Sequence, residues 1–461
     1  MTQDDHFSNG RGEVKVTRAL AEFVEQMQWH DIPPKVRHEA KRSLVNYFAV
    51  SLAGCADAGI DQAVNVYTRF SAGSEAGLVG RRNRTDILNA SALNAMSANV
   101  YDFDDTHLPT IIHPTAPVAA PLFALAEATR ETKAMTGEQL LLAFVLGVEV
   151  ECRLGNAVSP GHYQRGWHIT STCGVFGSAA AAAKTMNLDA RHIGWAFGHA
   201  SAQSSGLVET LGSMSKSISV GNAARNGVLS ALLAAEGFAG PERPIEGERG
   251  FLRVTAEHPD LHAAVSTLGS EWSLLSNTYK PYPCGVVLNP VIEACLELTR
   301  TPGFSFADVE RVVLTGHPLL RERTDRPAIV LGREAQVSAQ HSVAIALARG
   351  RAGLAEFTDE AVAEPAIHAF ASRLTFADDA AYSVEAAKVT LLMRSGETLS
   401  KRVDAARGSL SAPLADNDLD TKLTELAAYG KTGCDARSLI DALWALESAP
   451  DASLLMRLVS R

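Results

Sequence analysis

"GVFGSAAAAAK", Gly174 to Lys184, and "GNAARNGVLSALLAAEG", Gly221 to Gly237, decide what kind of fold this chain adopts. Almost every position is glycine, alanine or serine, or an aliphatic residue at helical spacing. Side chains this small let helix axes approach closely, which helps only a helix surrounded by other helices. Both stretches therefore predict buried central helices, and plain packing accounts for them. A lone G-x-x-G with no strand before it is weak evidence of a phosphate loop.

Working outward, the first ~265 residues keep the helical period. Leu20, Phe23, Val24 and Met27 recur at i, i+3, i+4 and i+7, as do Leu44, Tyr47, Phe48 and Leu52, which follow the turn "DIPP" and stop at Gly54. From Trp272 the texture changes. "VERVVLTGH" alternates with period two, and "AKVTLLMRSGETLSKRV" reads as two strands around Ser395-Gly396, with a helix, "SAQHSVAIALARG" (Ser338 to Gly350), between them. The end of the chain, "DTKLTELAAYG" and "ARSLIDALWALES", returns to one-sided helices. The expected fold is mainly α: a large all-helical domain over 15–269 and 405–461, a smaller α+β domain over 270–404, and a disordered tail over 1–14.

With 461 residues the chain exceeds what one core usually serves, and 46% apolar with 20% charged residues is an ordinary globular composition. The net charge of −10, without a basic run, argues against nucleic acid as a partner. The apolar run "LLLAFVLGV" (Leu140 to Val148) stops at Glu149, short of the ~20 residues of a membrane span. Six scattered cysteines form no C-x-x-C pair, and "MTQDDHFSNGRGEV" lacks the regions of a secretory signal. A soluble, cytoplasmic protein is expected. No strand, glycine-rich turn and helix unit with a downstream acid points to a dinucleotide cofactor.

Chemistry concentrates in four places. "YDFDDTHLPTIIHPTAPVAAP" (Tyr101 to Pro121) gathers Asp102, Asp104, Asp105, Thr106, His107 and His113. If its start is helical, Asp102, Asp105 and Thr106 share a face while Asp104 points elsewhere, and a solvated helix end would explain the aspartates by itself. The prolines around His113 instead fix a defined path, which suits a histidine tuned for proton transfer. "GHYQRGWHITSTCG" carries His162 and His168, "GSMSKSISVGNAAR" carries Lys216, and "NTYKPYPCG" holds Lys280 in a proline-braced turn at the domain junction. Two candidate bases and two cations on stiff, non-helical segments beside buried helices suggest a cleft between domains.

"DFDDT…HP", "GWHITSTCGVFGSAAAAAK", "MSK…GNAARNG" and "KPYPCG", in this order, resemble the MmgE/PrpD family over nearly the whole chain. The resemblance implies an α+β lid over the helical domain, a homodimer, and an active site between the two domains that needs no metal and no organic cofactor. It implies dehydration, decarboxylation or epimerisation of a small di- or tricarboxylic acid. The site falls on Asp102, Thr106, His113, His168, Lys216 and Lys280, with His113 or His168 as base, the lysines on carboxylates and developing charge, and Asp102 setting a histidine's state. Thr106, Tyr163, Tyr282 and Cys284 are expected to contact substrate. Decarboxylases of the family carry a histidine shortly after the "KPYP" lysine, where this chain has Cys284, Gly285 and, further on, Asn289. Many relatives carry a proline and a histidine where Ser217 and Ser219 stand. Both departures favour a dehydratase or epimerase over a decarboxylase. A non-catalytic helical binding protein is the alternative of another class.

Overall fold

The computed structural model describes residues 14–460. The tail expected over 1–14 lies outside them except for Val14, which packs against the main core. That core is helical. The two small-residue segments form helices Ile169–Thr185 and Ser215–Ala235, packed against each other, with Ala179 to Ala183 no more than 1% exposed. A methyl group at Gly227 would stand 2.3 Å from Ser178 Cβ and 2.6 Å from the Val175 carbonyl oxygen, so the close approach depends on glycine there. Gly137–Val158 packs on the first of these helices and Ile87–Asn99 on the second. Pro34–Gly54 buries Leu44, Tyr47, Phe48 and Leu52 and ends where its sequence predicts.

A second apolar core surrounds a four-stranded sheet in the order Leu374–Asp378, Val309–Gly316, Ala387–Met393, Thr398–Val403. The first pair is parallel, with Val312 opposite Leu374, and the others are antiparallel. Helix Asn289–Leu298 covers it, and Ala339–Arg349 packs on that helix. The period-two stretches are thus strands and the intervening segment a helix, as expected. Asp416–Tyr429 and Ala436–Trp444 carry the chain back, and Leu419, Leu423, Leu426 and Leu443 join the first core. Among the described residues no single helix is long and apolar enough to cross a membrane.

One sequence expectation needs correction. The larger body is not purely helical: Ala76–Gly77 pairs with Arg84–Thr85, and Asp105–His107 pairs with Asn277–Tyr279. The helix that carries the apolar run at 140–148, capped by reciprocal bonds between Thr136 and Gln139, continues past Glu149 to Val158. Glu149 is accommodated by Arg153 at 2.6 Å and the Ser273 amide at 2.8 Å.

Glu151 has no such partner. It is fully buried, neither carboxyl oxygen has a hydrogen-bond partner, and burial, with Asp105 nearby, raises its pKa well above the ordinary value. The folded protein therefore holds this proton more tightly than the unfolded chain. The stabilisation is complete below the unfolded carboxyl's pKa of about 4.3 and is lost as pH rises through the folded value. Glu151→Gln should lose less stability than the parent between pH 5.5 and pH 8 in denaturant titrations. An equal loss in both proteins would show that Glu151 does not titrate with unfolding.

Candidate active site

Three helices of the main core begin at one cavity of about 530 Å³ between the helical body and the sheet-containing region. His113 stands two residues before Thr115–Thr129, His168 is the residue that precedes Ile169–Thr185, and Lys216 lies in the first turn of Ser215–Ala235. All three line the cavity. Each helix brings the positive end of its dipole there, which favours bound anions and neutral over charged imidazoles. Lys216 is thus helical, not on the irregular segment expected from its glycine and serine neighbours.

The stretch from Asp102 is not a helix. Asp102 takes a left-handed backbone conformation with φ 51°, and Asp105–His107 is a strand whose Thr106 sits opposite Thr278. This ladder brings Lys280, the residue after Tyr279, against Asp102. The Lys280 ammonium lies 3.2 Å from Asp102 Oδ1 and donates to the Asp102 carbonyl oxygen at 2.9 Å. Lys216 pairs with the same Asp102 oxygen. Burial works to raise the Asp102 pKa, but Lys216, Lys280 and His113 outweigh it and hold the group far below the usual carboxylate range. Burial lowers and Asp102 raises the Lys216 pKa, and the net shift is upward.

The face-sharing expected of the aspartates is reversed. Asp104, not Asp105, turns toward the histidine, with Oδ1 3.3 Å from His113 Nδ1, and its other oxygen accepts from Asn99 at 2.6 Å. Asp105 turns into the core, accepts from Thr115 Oγ1 at 2.5 Å and Asn277 Nδ2 at 2.7 Å, and is raised by burial to about 7.

Both histidines are held as one tautomer. His113 Nδ1 lies 2.7 Å from the Asp105 carbonyl oxygen, which can only accept, so Nδ1 carries the proton. Its Nε2 is free to act and lies 3.7 Å from Asp102 Oδ1. At His168, Nδ1 lies 3.1 Å from Ser219 Oγ and 3.3 Å from Ser171 Oγ, while those hydroxyls donate to the carbonyls of Lys216 and His168 itself. Nδ1 is again the donor and Nε2 holds the lone pair. Burial, aided by Lys216 and His113, lowers His168 to about 3. Burial also lowers His113, though Asp104 and Asp102 act in the opposite direction.

Thr106 and Tyr163 line the cavity with these groups. Tyr282 and Cys284 do not, contrary to expectation. Tyr282 is half-buried outside the cavity lining, and Cys284, fully buried, lies 3.6 Å from Asn289 Oδ1, next in the chain to Gly285, which does line the cavity. His162 is buried apart from the site, 2.7 Å from Thr172 Oγ1.

Ser219, which orients His168, stood in the sequence only as a departure from the family. Lys422 was missed. Its ammonium donates to Asn46 Oδ1 at 2.8 Å and to the Phe103 and Lys280 carbonyls at 2.9 Å each, clamping the two strands of chain that carry Asp102 and Lys280. A signal existed: Lys422 falls between Leu419, Leu423 and Leu426 on the apolar stripe of its helix. Among the described residues the trio able to share a metal ion is Asp102, Asp104 and His113. A divalent cation placed there would meet the two ammonium groups already paired with Asp102, which makes the trio a poor metal site.

A helical body with an α+β region closing over paired histidines and lysines defines the class, and sequence comparison names the family. The MmgE/PrpD N-terminal domain matches residues 18–264 and the MmgE/PrpD C-terminal domain residues 282–447, so the chain belongs to the MmgE/PrpD family. It is 25% identical to a cis-aconitate decarboxylase-like protein of Aspergillus oryzae, over 97% of this chain and 98% of that protein. It is 24% identical to the cis-aconitate decarboxylases of Mus musculus, over 96% and 93%, and of Homo sapiens, over 96% and 94%.

Asp102 is the shared counterion of two buried lysines, so Asp102→Asn should destabilise the protein by about 3–5 kcal/mol at neutral pH. Adding Lys280→Met should return part of that loss, because it removes one stranded ammonium. The check is denaturant unfolding of both variants; an unchanged midpoint in Asp102→Asn would mean that the lysines do not depend on it.

Proposed function

We propose that this protein is a cofactor-independent lyase or isomerase that removes a proton α to a carboxylate of a small di- or tricarboxylic acid. The observation that supports it most is the fixed tautomer of two buried, neutral histidines beside two lysines. His113 is the better base. Its Nε2 takes the proton, and the imidazolium that forms lies against Asp104 and Asp102, which stabilise it. The electron pair of the broken C–H bond moves into the adjacent carboxylate, whose developing charge Lys216 and Lys280 meet in a water-poor setting. Asp102 keeps both ammonium groups in place and partly neutralised, so they gain most when the substrate's charge grows. His168, without a carboxylate beside it, serves to deliver or receive a proton later in the cycle.

From the carbanion-like state, expulsion of a β-hydroxyl as water makes a dehydratase, and return of a proton to the opposite face makes an epimerase. A second possibility, decarboxylation, is favoured by the names of the relatives: breaking a C–C bond to release carbon dioxide leaves a carbanion that a protonated histidine quenches. Against it stand two departures from what the family resemblance implies: Cys284, Gly285 and, further on, Asn289 follow Lys280 where a histidine is expected in a decarboxylase, and Ser217 and Ser219 follow Lys216 where a proline and a histidine are expected.

The test is solvent exchange. In heavy water, ¹H NMR of citrate-like and aspartate-like acids should show deuterium entering the α-carbon of a productive ligand. His113→Gln should slow that exchange by about 10²- to 10⁴-fold, while His168→Gln should let it persist and impair turnover. Full exchange in the double variant would overturn the assignment of either histidine as base.

A further inference from the structure

The cavity has a second cationic wall. It is contributed by the helix Pro318–Thr324 and the chain that follows it, a stretch holding Arg321, Arg323, Arg326 and Arg333. Two of these are neutralised: Arg321 pairs with Asp378 at 2.5 Å, and Arg333 with Asp57 at 2.5 Å. Among the described residues Arg323 and Arg326 have no carboxylate within 4.0 Å, yet both line the cavity shared by Lys216, Lys280 and the two histidines. Arg323 is held in place, its guanidinium carbon 5.3 Å from the centre of the Tyr163 ring. Tyr163 connects the two walls: burial raises its phenol, and Arg323 and Lys216 both counter that rise. Arg323 is half-buried and Arg326 exposed, and with no carboxylate among the described residues engaging either guanidinium both are available to an anionic ligand. Glu322 is the single carboxylate besides Asp102 on the cavity lining.

Building on the proposed function of this site, we propose that Arg323 and Arg326 bind a second substrate carboxylate, remote from the carbon that loses its proton. Planar guanidinium groups suit two-point binding of a carboxylate, and in the proposed chemistry the lysine wall takes the other carboxylate, the one whose α-carbon reacts. The enzyme thereby selects acids with carboxylates at both ends of the cavity over monocarboxylates. Because Arg323 and Arg326 come from the sheet-containing part of the chain and the lysine–histidine wall largely from the helical part, such an acid ties the two walls together.

The probe is propane-1,2,3-tricarboxylate, with butyrate as the one-carboxylate control, measured by titration calorimetry on the full chain. Arg323→Gln and Arg326→Gln should each weaken tricarboxylate binding by about 10- to 100-fold. The preference for the tricarboxylate over butyrate should shrink by the same factor, which a merely structural role would not produce. Arg323→Lys, which keeps the charge and loses the planar fork, should fall between; with Arg326→Gln it carries the test if Arg323→Gln does not fold. Binding that is lost in Lys280→Met but unchanged in the arginine variants would overturn this assignment alone. A parent protein that binds neither acid would overturn both it and the proposed function of the site.

Discussion

One buried carboxylate organises the site. Asp102 accepts Lys216 from the start of one central helix and Lys280 from the strand ladder, and it lies beside His113. Two ammonium groups this deeply buried require a counterion, and the ion pairs in turn require the surrounding structure to be in register. The left-handed backbone at Asp102 and the clamp from Lys422 on the Phe103 and Lys280 carbonyls are the local devices that hold that register.

The framework explains why such a cluster can be built where it is. Close approach of Ile169–Thr185 and Ser215–Ala235 through alanine, serine and Gly227 places the starts of both helices at one cavity, and Thr115–Thr129 adds a third. Residues at a helix start need no long loop to reach a ligand, so His168 and Lys216 take their positions from rigid elements. Packing of the core and precision of the site are thus two consequences of the same small-residue helices.

Much of this was legible in the sequence because it rests on local periodicity. Small residues at helical spacing, the amphipathic pattern of Pro34–Gly54 and the alternation of Val309–Gly316 each report burial from neighbours in the chain. The residues that assemble the cavity were legible through their chemistry and their stiff or small-residue surroundings. What was misread depends on partners far away. Asp102 to Thr106 cannot form a helix because Asn277–Tyr279 pairs with Asp105–His107, about 170 residues on, and that pairing sends Asp104 rather than Asp105 toward His113. Tyr282 and Cys284 share a proline-braced turn with Lys280, but spacing within a turn does not tell which side chains face a cavity. Arg323 and Arg326 escaped notice because unpaired arginines cannot be told from paired ones until Asp378 and Asp57 are placed.

Everything at this site depends on Asp102 staying ionised and binding both lysines. Carboxyl ¹³C NMR of protein labelled at aspartate, with Asp102→Asn to assign the resonance, follows that group directly. The expected result is a shift of the ionised form that stays constant as pH falls until the protein unfolds in acid. A resonance that titrates in the folded protein near the ordinary aspartate value of about 3.9 would contradict the account, because the lysines would then not be holding it.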